Sequence, residues 1–146
     1  MITLDPRTIR VKARRPELVP TQAHPTEWFD VCVAQEYKLK AGDYGTLDLG
    51  ICVEAPEGYE IILAPRSSTF RKYGILMTNG FGVFDHSYCG DNDWYKMPIY
   101  ATRDAIIPDG ARIGQFKIVP VQPHCNVVVV DQMGNEDRGG LGSTGV

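Results

Sequence analysis

The chain ends DRGGLGSTGV. Gly139, Gly140, Gly142 and Gly145 free the backbone to turn its N–H groups inward, Ser143 and Thr144 add hydroxyls, and Arg138 adds a planar fork of donors. Together they compose a nest for an anion, phosphate above all. A second anion-directed stretch is APRSSTF, where Arg66 precedes Ser67 and Ser68 at the start of a short helix with free backbone N–H groups. The third stretch, TNGFGVFDHSYCGD, carries different chemistry. Asn79-Gly80 and the alternating apolar residues after it predict a hairpin. Asp85 follows the apolar strand end Val83-Phe84, so its carboxylate is expected to be partly desolvated and able to orient a water as general base. Tyr88 lies three residues on.

Two further stretches place polar groups on apolar strands. Arg112 and Gln115 in GARIGQFKIV stand at odd spacing, which in an unbulged strand sends them to opposite faces. Asp30 in EWFDVCV sits on a strand behind Trp28 and Phe29. Taken singly, each of these features is ordinary structure: a capped turn, a turn aspartate, a strand-surface carboxylate.

The elements that must position them are short. The runs WFDVCVA, TLDLGICV, YEIILA, MPIYA, RIGQFKIVPV and NVVVV have strand length and branched or aromatic content. Turn-prone stretches (AGDYG, APEGYE, TNGFG, PDGARIG) separate them, which predicts an all-β sandwich, jelly roll or barrel. Only SSTFRKYG reads as helix, one or two turns with Ser67 or Ser68 as cap and Gly74 as stop. The basic stretch RVKARR alternates with apolar residues and reads as a solvated strand edge. From Met133 onward the chain is polar and glycine-rich, without the means to pack a core. The expected organisation is a β-barrel domain over 1–132 and a mobile C-terminal lid over 133–146.

Composition sets limits on function. At 146 residues the chain is one domain's length, and its net charge of −3 gives no global basic field for nucleic acid. No stretch approaches the roughly 20 apolar residues of a membrane span, and MITLDPRTIR holds no apolar run of a secretory leader. Cys32, Cys52, Cys89 and Cys125 form no CxxC pair and, with three histidines, no zinc pattern. Reduced thiols in a cytoplasmic protein are expected.

The order of these stretches says more than any one of them. Asp30, then PRSS, then NGFGVFDHSY, then RIGQ, then RGGLGSTG resembles the five ordered motifs of the homotrimeric dUTPase family, over nearly the whole chain. The resemblance implies a jelly-roll-like distorted β-barrel, a homotrimer with active sites shared among chains, and hydrolysis of dUTP to dUMP and pyrophosphate with Mg2+ on the triphosphate. By the same resemblance Asp85 activates the water that attacks the α-phosphorus, and Tyr88 lies beneath the deoxyribose and excludes a 2′-hydroxyl. Asn79 and the hairpin backbone at Gly82 and Val83 read the uracil edge. Arg66, Ser67, Ser68 and Gln115 take phosphate-side positions, and Asp30 meets the metal through water. Arg138, Leu141, Gly142, Ser143 and Thr144 belong to the tail that closes over the nucleotide.

The sequence departs from the family pattern in five places, the first being EWFDV, where Glu27 and Trp28 stand at positions usually held by small residues. Leu141 stands where an aromatic residue usually stacks on uracil, and Arg138 lies nearer the glycine run than usual. Ser87 and Cys89 replace the usual Asp and Arg after the catalytic aspartate, and the acidic segment DNDWYKMP after Gly90 is longer than usual, an exposed loop or a contact between chains. Two alternative functions follow: a dCTP deaminase-type or bifunctional enzyme of the same superfamily, and a regulatory protein that uses this fold to bind a protein partner.

Overall fold

The computed structural model describes residues 7–140 and residue 142. Among these the chain forms eleven strands: β1 (Arg10–Ala13), β2 (Phe29–Cys32), β3 (Tyr37–Leu39), β4 (Tyr44–Asp48), β5 (Ile51–Glu54), β6 (Tyr59–Pro65), β7 (Ile75–Met77), β8 (Gly82–Phe84), β9 (Lys96–Ala101), β10 (Ala105–Ile107) and β11 (Arg112–Pro120). One short helix, α1 (Thr69–Tyr73), and a 3-10 turn at Pro16–Leu18 complete the regular structure. The strands form four antiparallel sheets, ordered β1-β5, β10-β3, β2-β11-β6-β8 and β4-β9-β7. The expected all-β class is the observed one. No helix among the described residues is long and apolar enough to cross a membrane.

Strand alternation builds the core. Ile61 and Leu63 of β6, Met97, Ile99 and Ala101 of β9, and Ile113 and Phe116 of β11 all point inward and are buried. The Phe116 ring stacks on Phe29 with centroids 5.0 Å apart. The run TLDLGICV, expected as one strand, is two. The break falls at Gly50, whose φ of 65° suits glycine and where a Cβ would stand 2.5 Å from Leu18 Cδ1.

Four expectations need correction. The turn at Asn79-Gly80 closes no hairpin ladder: β7 pairs with β9, whereas β8 crosses to pair with β6 in another sheet. Neither serine caps α1. Ser68 occupies the N-cap position with an αR backbone and no side-chain cap bond. Instead Thr69 Oγ1, buried, accepts the Arg66 N–H at 3.0 Å and donates to the Ile113 carbonyl at 2.9 Å. Gly74 ends the helix in the left-handed conformation as expected, and Arg103 donates to the Arg71 carbonyl at 2.6 Å.

The third correction concerns β11. Its register against β2 shifts between Arg112 and Gly114, so Ile113 and Gly114 are both buried in succession. The bulge restores phase: Arg112, opposite Cys32, and Gln115, opposite Asp30, share one face. Gly114 fits there because a Cβ would meet the Ala64 carbonyl and Val31 Cγ2, both at 3.3 Å. The fourth concerns NVVVV. After Pro120 the described chain makes no ladder, and Val127 to Val130 are 91, 77, 91 and 53% exposed. Branched residues in series have strand propensity, but among the described residues no strand pairs with them and they stay exposed.

Candidate active site

Two groups of polar side chains stand on the four-stranded sheet. The first centres on Asp30. Arg66, in the turn after β6, places Nε 3.2 Å from Asp30 Oδ1, and Arg112 places a guanidinium nitrogen 4.0 Å from Oδ2. Gln115, in register with Asp30, donates Nε2 to the Pro65 carbonyl at 3.2 Å. The sheet thus gathers Asp30, Arg66, Arg112 and Gln115, with Ser67 exposed and Ser68 half-buried beside them. Asp30 and Arg66 are partly buried, with side chains 20 and 27% exposed, so the pair is only partly screened by solvent. A guanidinium fixed by a carboxylate keeps donors for a phosphate at a set orientation.

The second group lies on β8. This is the edge strand of its sheet, so among the described residues its outer N–H and C=O groups face no strand. Gly82 is buried and closely packed: a Cβ would come within 3.3 Å of Met77 Cε. Val83 is 55% exposed on the strand, and Asn79 is exposed in the turn leading to it.

Asp85 follows β8 into a turn and is exposed, contrary to the expected desolvation, because β8 is an edge strand and among the described residues no further strand pairs beyond it. Its Oδ1 accepts both the Ser87 hydroxyl and the Ser87 N–H, the latter at 2.8 Å. These bonds, the hydroxyl first, hold the Asp85 carboxyl below the ordinary carboxylate range. The group is therefore ionised throughout the neutral range and oriented by its own turn. Replacing Ser87 by Ala removes a donor that favours the charged form, so the pKa of Asp85 rises. The acid limb of the kcat/KM–pH profile is expected to move to higher pH in Ser87→Ala. An unmoved limb would show that Ser87 does not tune the titrating group.

Tyr88 is half-buried. Its ring tilts against Phe84 (centroids 5.6 Å apart) and Tyr95 (6.1 Å), and its hydroxyl donates to the Trp94 carbonyl at 2.9 Å. Burial raises its pKa, which keeps the phenol neutral.

One chain does not bring the two groups together. Phe84 pairs with Ile61, so Asp85 emerges beside the Tyr59 end of β6, while Arg66 follows its Pro65 end. Six residues of strand, about 20 Å, lie between them. A base must stand within hydrogen-bond reach of the water it orients, and the Arg66 group of the same chain lies outside that reach of Asp85. Arg138 and Gly142 lie beyond the last ladder, Arg138 exposed; Leu141, Ser143 and Thr144 are outside the described residues.

Among the described residues no three His, Cys, Asp or Glu side chains group as a metal cage. Asp30, the carboxylate beside Arg66 and Arg112, is already shared by those two arginines. That donor set suits Mg2+ carried on phosphate oxygens and water rather than one held by the protein in advance. Three supporting residues were hidden in the sequence. Ser87 was noticed only as a departure, although Asp-x-Ser is the signature of a side chain bonding its own backbone two residues on. Thr69 and Trp94 act through contacts distant along the chain, for which the sequence carries no local signal.

A family model described as dUTPase matches residues 11–145. The SPbeta prophage-derived deoxyuridine 5'-triphosphate nucleotidohydrolase YosS of Bacillus subtilis (strain 168) is 45% identical over 119 residues, which cover 82% of this chain and 84% of that protein. The deoxyuridine 5'-triphosphate nucleotidohydrolase of Thermobifida fusca (strain YX) is 34% identical over 147 residues, 94% of this chain and 80% of that protein. Among solved structures, a mutant of the Staphylococcus bacteriophage 80alpha dUTPase with dUpNHpp matches with a TM-score of 0.76 at 21% identity, covering 95% of this chain and 99% of that one. A mutant dUTPase from phage phi11 of S. aureus, which coordinates a structural Mg(II) ion, matches with a TM-score of 0.72 at 18% identity, covering 86% and 98%. At such identities the structural likeness speaks for the fold.

Proposed function

The chain belongs to the dUTPase family, and from that premise we propose that it works as an oligomer, a homotrimer, whose active sites each combine side chains of different copies. It hydrolyses dUTP to dUMP and pyrophosphate. Water attacks the α-phosphorus, the bond from that phosphorus to the oxygen bridging to the β-phosphate breaks, and pyrophosphate leaves. The observation that carries the shared site is the placement of Asp85 and Arg66 at opposite ends of β6. The exposed valines at 127–130 support the same reading, since an apolar segment bare in one chain is suited to cover another.

In this account Asp85 orients the water through Oδ2, its Oδ1 being taken by Ser87, and receives the proton. Arg66 and Gln115, with Ser67 and Ser68, receive phosphate oxygens from a second copy, and Asp30 keeps Arg66 aimed. The edge of β8 at Gly82 and Val83, with Asn79, pairs with the uracil rim as a neighbouring strand would. Tyr88 is the wall under the deoxyribose. A Mg2+ ion bound to the triphosphate would neutralise its charge, with Asp30 near its waters. The lid over 133–146 brings Arg138, Leu141, Gly142, Ser143 and Thr144 over the phosphates and base, and residues up to 132 complete the barrel assembly. The four free thiols support a cytoplasmic location.

The direct test is pyrophosphate release from dUTP, dCTP, dTTP and UTP with Mg2+. Release confined to dUTP is expected: the N–H and C=O pattern of the β8 edge rejects the cytosine rim, its close fit to the base leaves no space for the 5-methyl of thymine, and the Tyr88 wall rejects the 2′-hydroxyl of UTP. Equal rates on all four, or ammonia release from dCTP, would overturn the uracil-reading assignment.

A further inference from the structure

The acidic segment after Gly90, unplaced by the motif order, is a strap across the outside of the barrel. Val11 and Ala13 of β1 pack on the core, so Arg10, Lys12 and Arg14 line its outer face, with Lys12 directly opposite Cys52 of β5. The strap lies on this row. Lys12 Nζ donates to the Asp91 carbonyl at 2.8 Å, and Cys52 Sγ contacts the same oxygen at 3.7 Å. The Trp94 ring carries the Arg14 guanidinium 3.9 Å from its centroid and the Lys12 ammonium at 5.1 Å. Arg14 is itself held by Asp48 Oδ2 at 3.0 Å. The far end of this chain of contacts is the active-site tyrosine, whose hydroxyl donates to the backbone carbonyl of that same Trp94 at 2.9 Å.

We infer that Trp94, clamped by Arg14 and Lys12, is a positioning residue that holds the Tyr88 ring rigid and so sets the discrimination between deoxyribose and ribose nucleotides. The inference rests on the placement of Tyr88 beneath the sugar. A ring excludes a 2′-hydroxyl only if it cannot yield, and an unbraced ring recovers room by a small tilt. Phe84 and Tyr95 support the Tyr88 ring, and its tip is held by the hydrogen bond from its hydroxyl to the Trp94 carbonyl. The carbonyl is only as fixed as the indole beside it.

The experiment measures kcat/KM for dUTP and UTP in the assembled full-length protein. Trp94→Leu, which removes the cation–π clamp, is expected to lower the dUTP-to-UTP ratio about three- to tenfold, the worth of one well-placed neutral hydrogen bond. Trp94→Phe keeps a ring under the guanidinium and should restore most of the ratio. Tyr88→Phe, which deletes only the donor, should match Trp94→Leu, and the double variant should add little to either. The Asp85 acid limb should stay in place in all of them, since a general loss of structure would move it. If Tyr88→Ala lowers the ratio while Trp94→Leu and Tyr88→Phe leave it intact, the strap is not the brace. If Tyr88→Ala itself leaves the ratio intact, the sugar-wall reading of Tyr88 fails instead. Should Trp94→Leu fail to fold, Arg14→Gln releases the same ring from its guanidinium side, and Tyr88→Phe still decides the matter.

Discussion

Asp85→Asn is expected to lower kcat on dUTP by about 10²–10⁴-fold, the span of a lost general base, while nucleotide affinity changes much less. The substitution is nearly isosteric. Asp85 is exposed, and an amide oxygen still accepts the Ser87 N–H that shapes the turn, so the fold and the β8 edge remain. What disappears is the site that takes the proton from water. Single-turnover hydrolysis and a binding isotherm with a nonhydrolysable dUTP analogue separate the two effects. Turnover within a few-fold of the parent would remove Asp85 from the role of base. Weakened binding with unchanged single-turnover chemistry would make it a binding residue instead.

Removing the residues after Asp137 is expected to cost a comparable amount, about 10²–10⁴-fold in kcat/KM, for another reason. The chain carries a net charge of −3, so a triphosphate is attracted only by local donors, and the truncation deletes Arg138, Ser143, Thr144 and the glycine backbone around them. Two or three charge-assisted hydrogen bonds, at roughly 1.5–3 kcal/mol each, account for a loss of this size. Stability should not follow. The described tail is exposed and joins no ladder, so the melting temperature and oligomeric mass of the truncated protein are expected to match the parent. A truncated protein that keeps full activity would mean the tail is not the phosphate lid. One that unfolds would mean it belongs to the barrel.

The strands were legible where one chain decides them. YEIILA and RIGQFKIVPV became β6 and β11, and MPIYA lies within β9, because their inward residues find a core in the same molecule. Gly74 was legible as a helix stop because the left-handed conformation is a local demand. Asn79-Gly80 signalled a reversal correctly, but turn chemistry does not say which sheet each flank will join, and here the flanks part. Arg112 and Gln115 were assigned opposite faces because alternation assumes no extra residue, and the bulge between Arg112 and Gly114 supplies one. NVVVV has strand composition without a strand partner among the described residues.

The site was legible as an order of motifs rather than as a place. Nothing local to Asp30 or Arg66, 36 positions apart in the sequence, announces their ion pair. The desolvation expected for Asp85 from its apolar neighbours failed because an edge strand leaves its own end open to solvent. The sequence leaves the strap as either an exposed loop or a contact between chains, because its seat is the basic row on β1, some 80 residues upstream along the chain.

The central claim is that Asp85 and Arg66 of one active site come from different copies of the chain. Prepare Asp85→Asn and Arg66→Ala proteins separately, then denature, mix in equal amounts and refold them together. In a three-fold ring every mixed trimer holds one site with Asp85 from one variant and Arg66 from the other, so on the order of a quarter of all sites are intact. The measurement is dUTP hydrolysis by the co-refolded mixture against each variant refolded alone, with mixed trimers verified by native mass spectrometry. The account predicts recovery to about a quarter of the parental rate, well above both controls. Mixed trimers with no more activity than the controls would mean that each site is built within a single chain, and would contradict it.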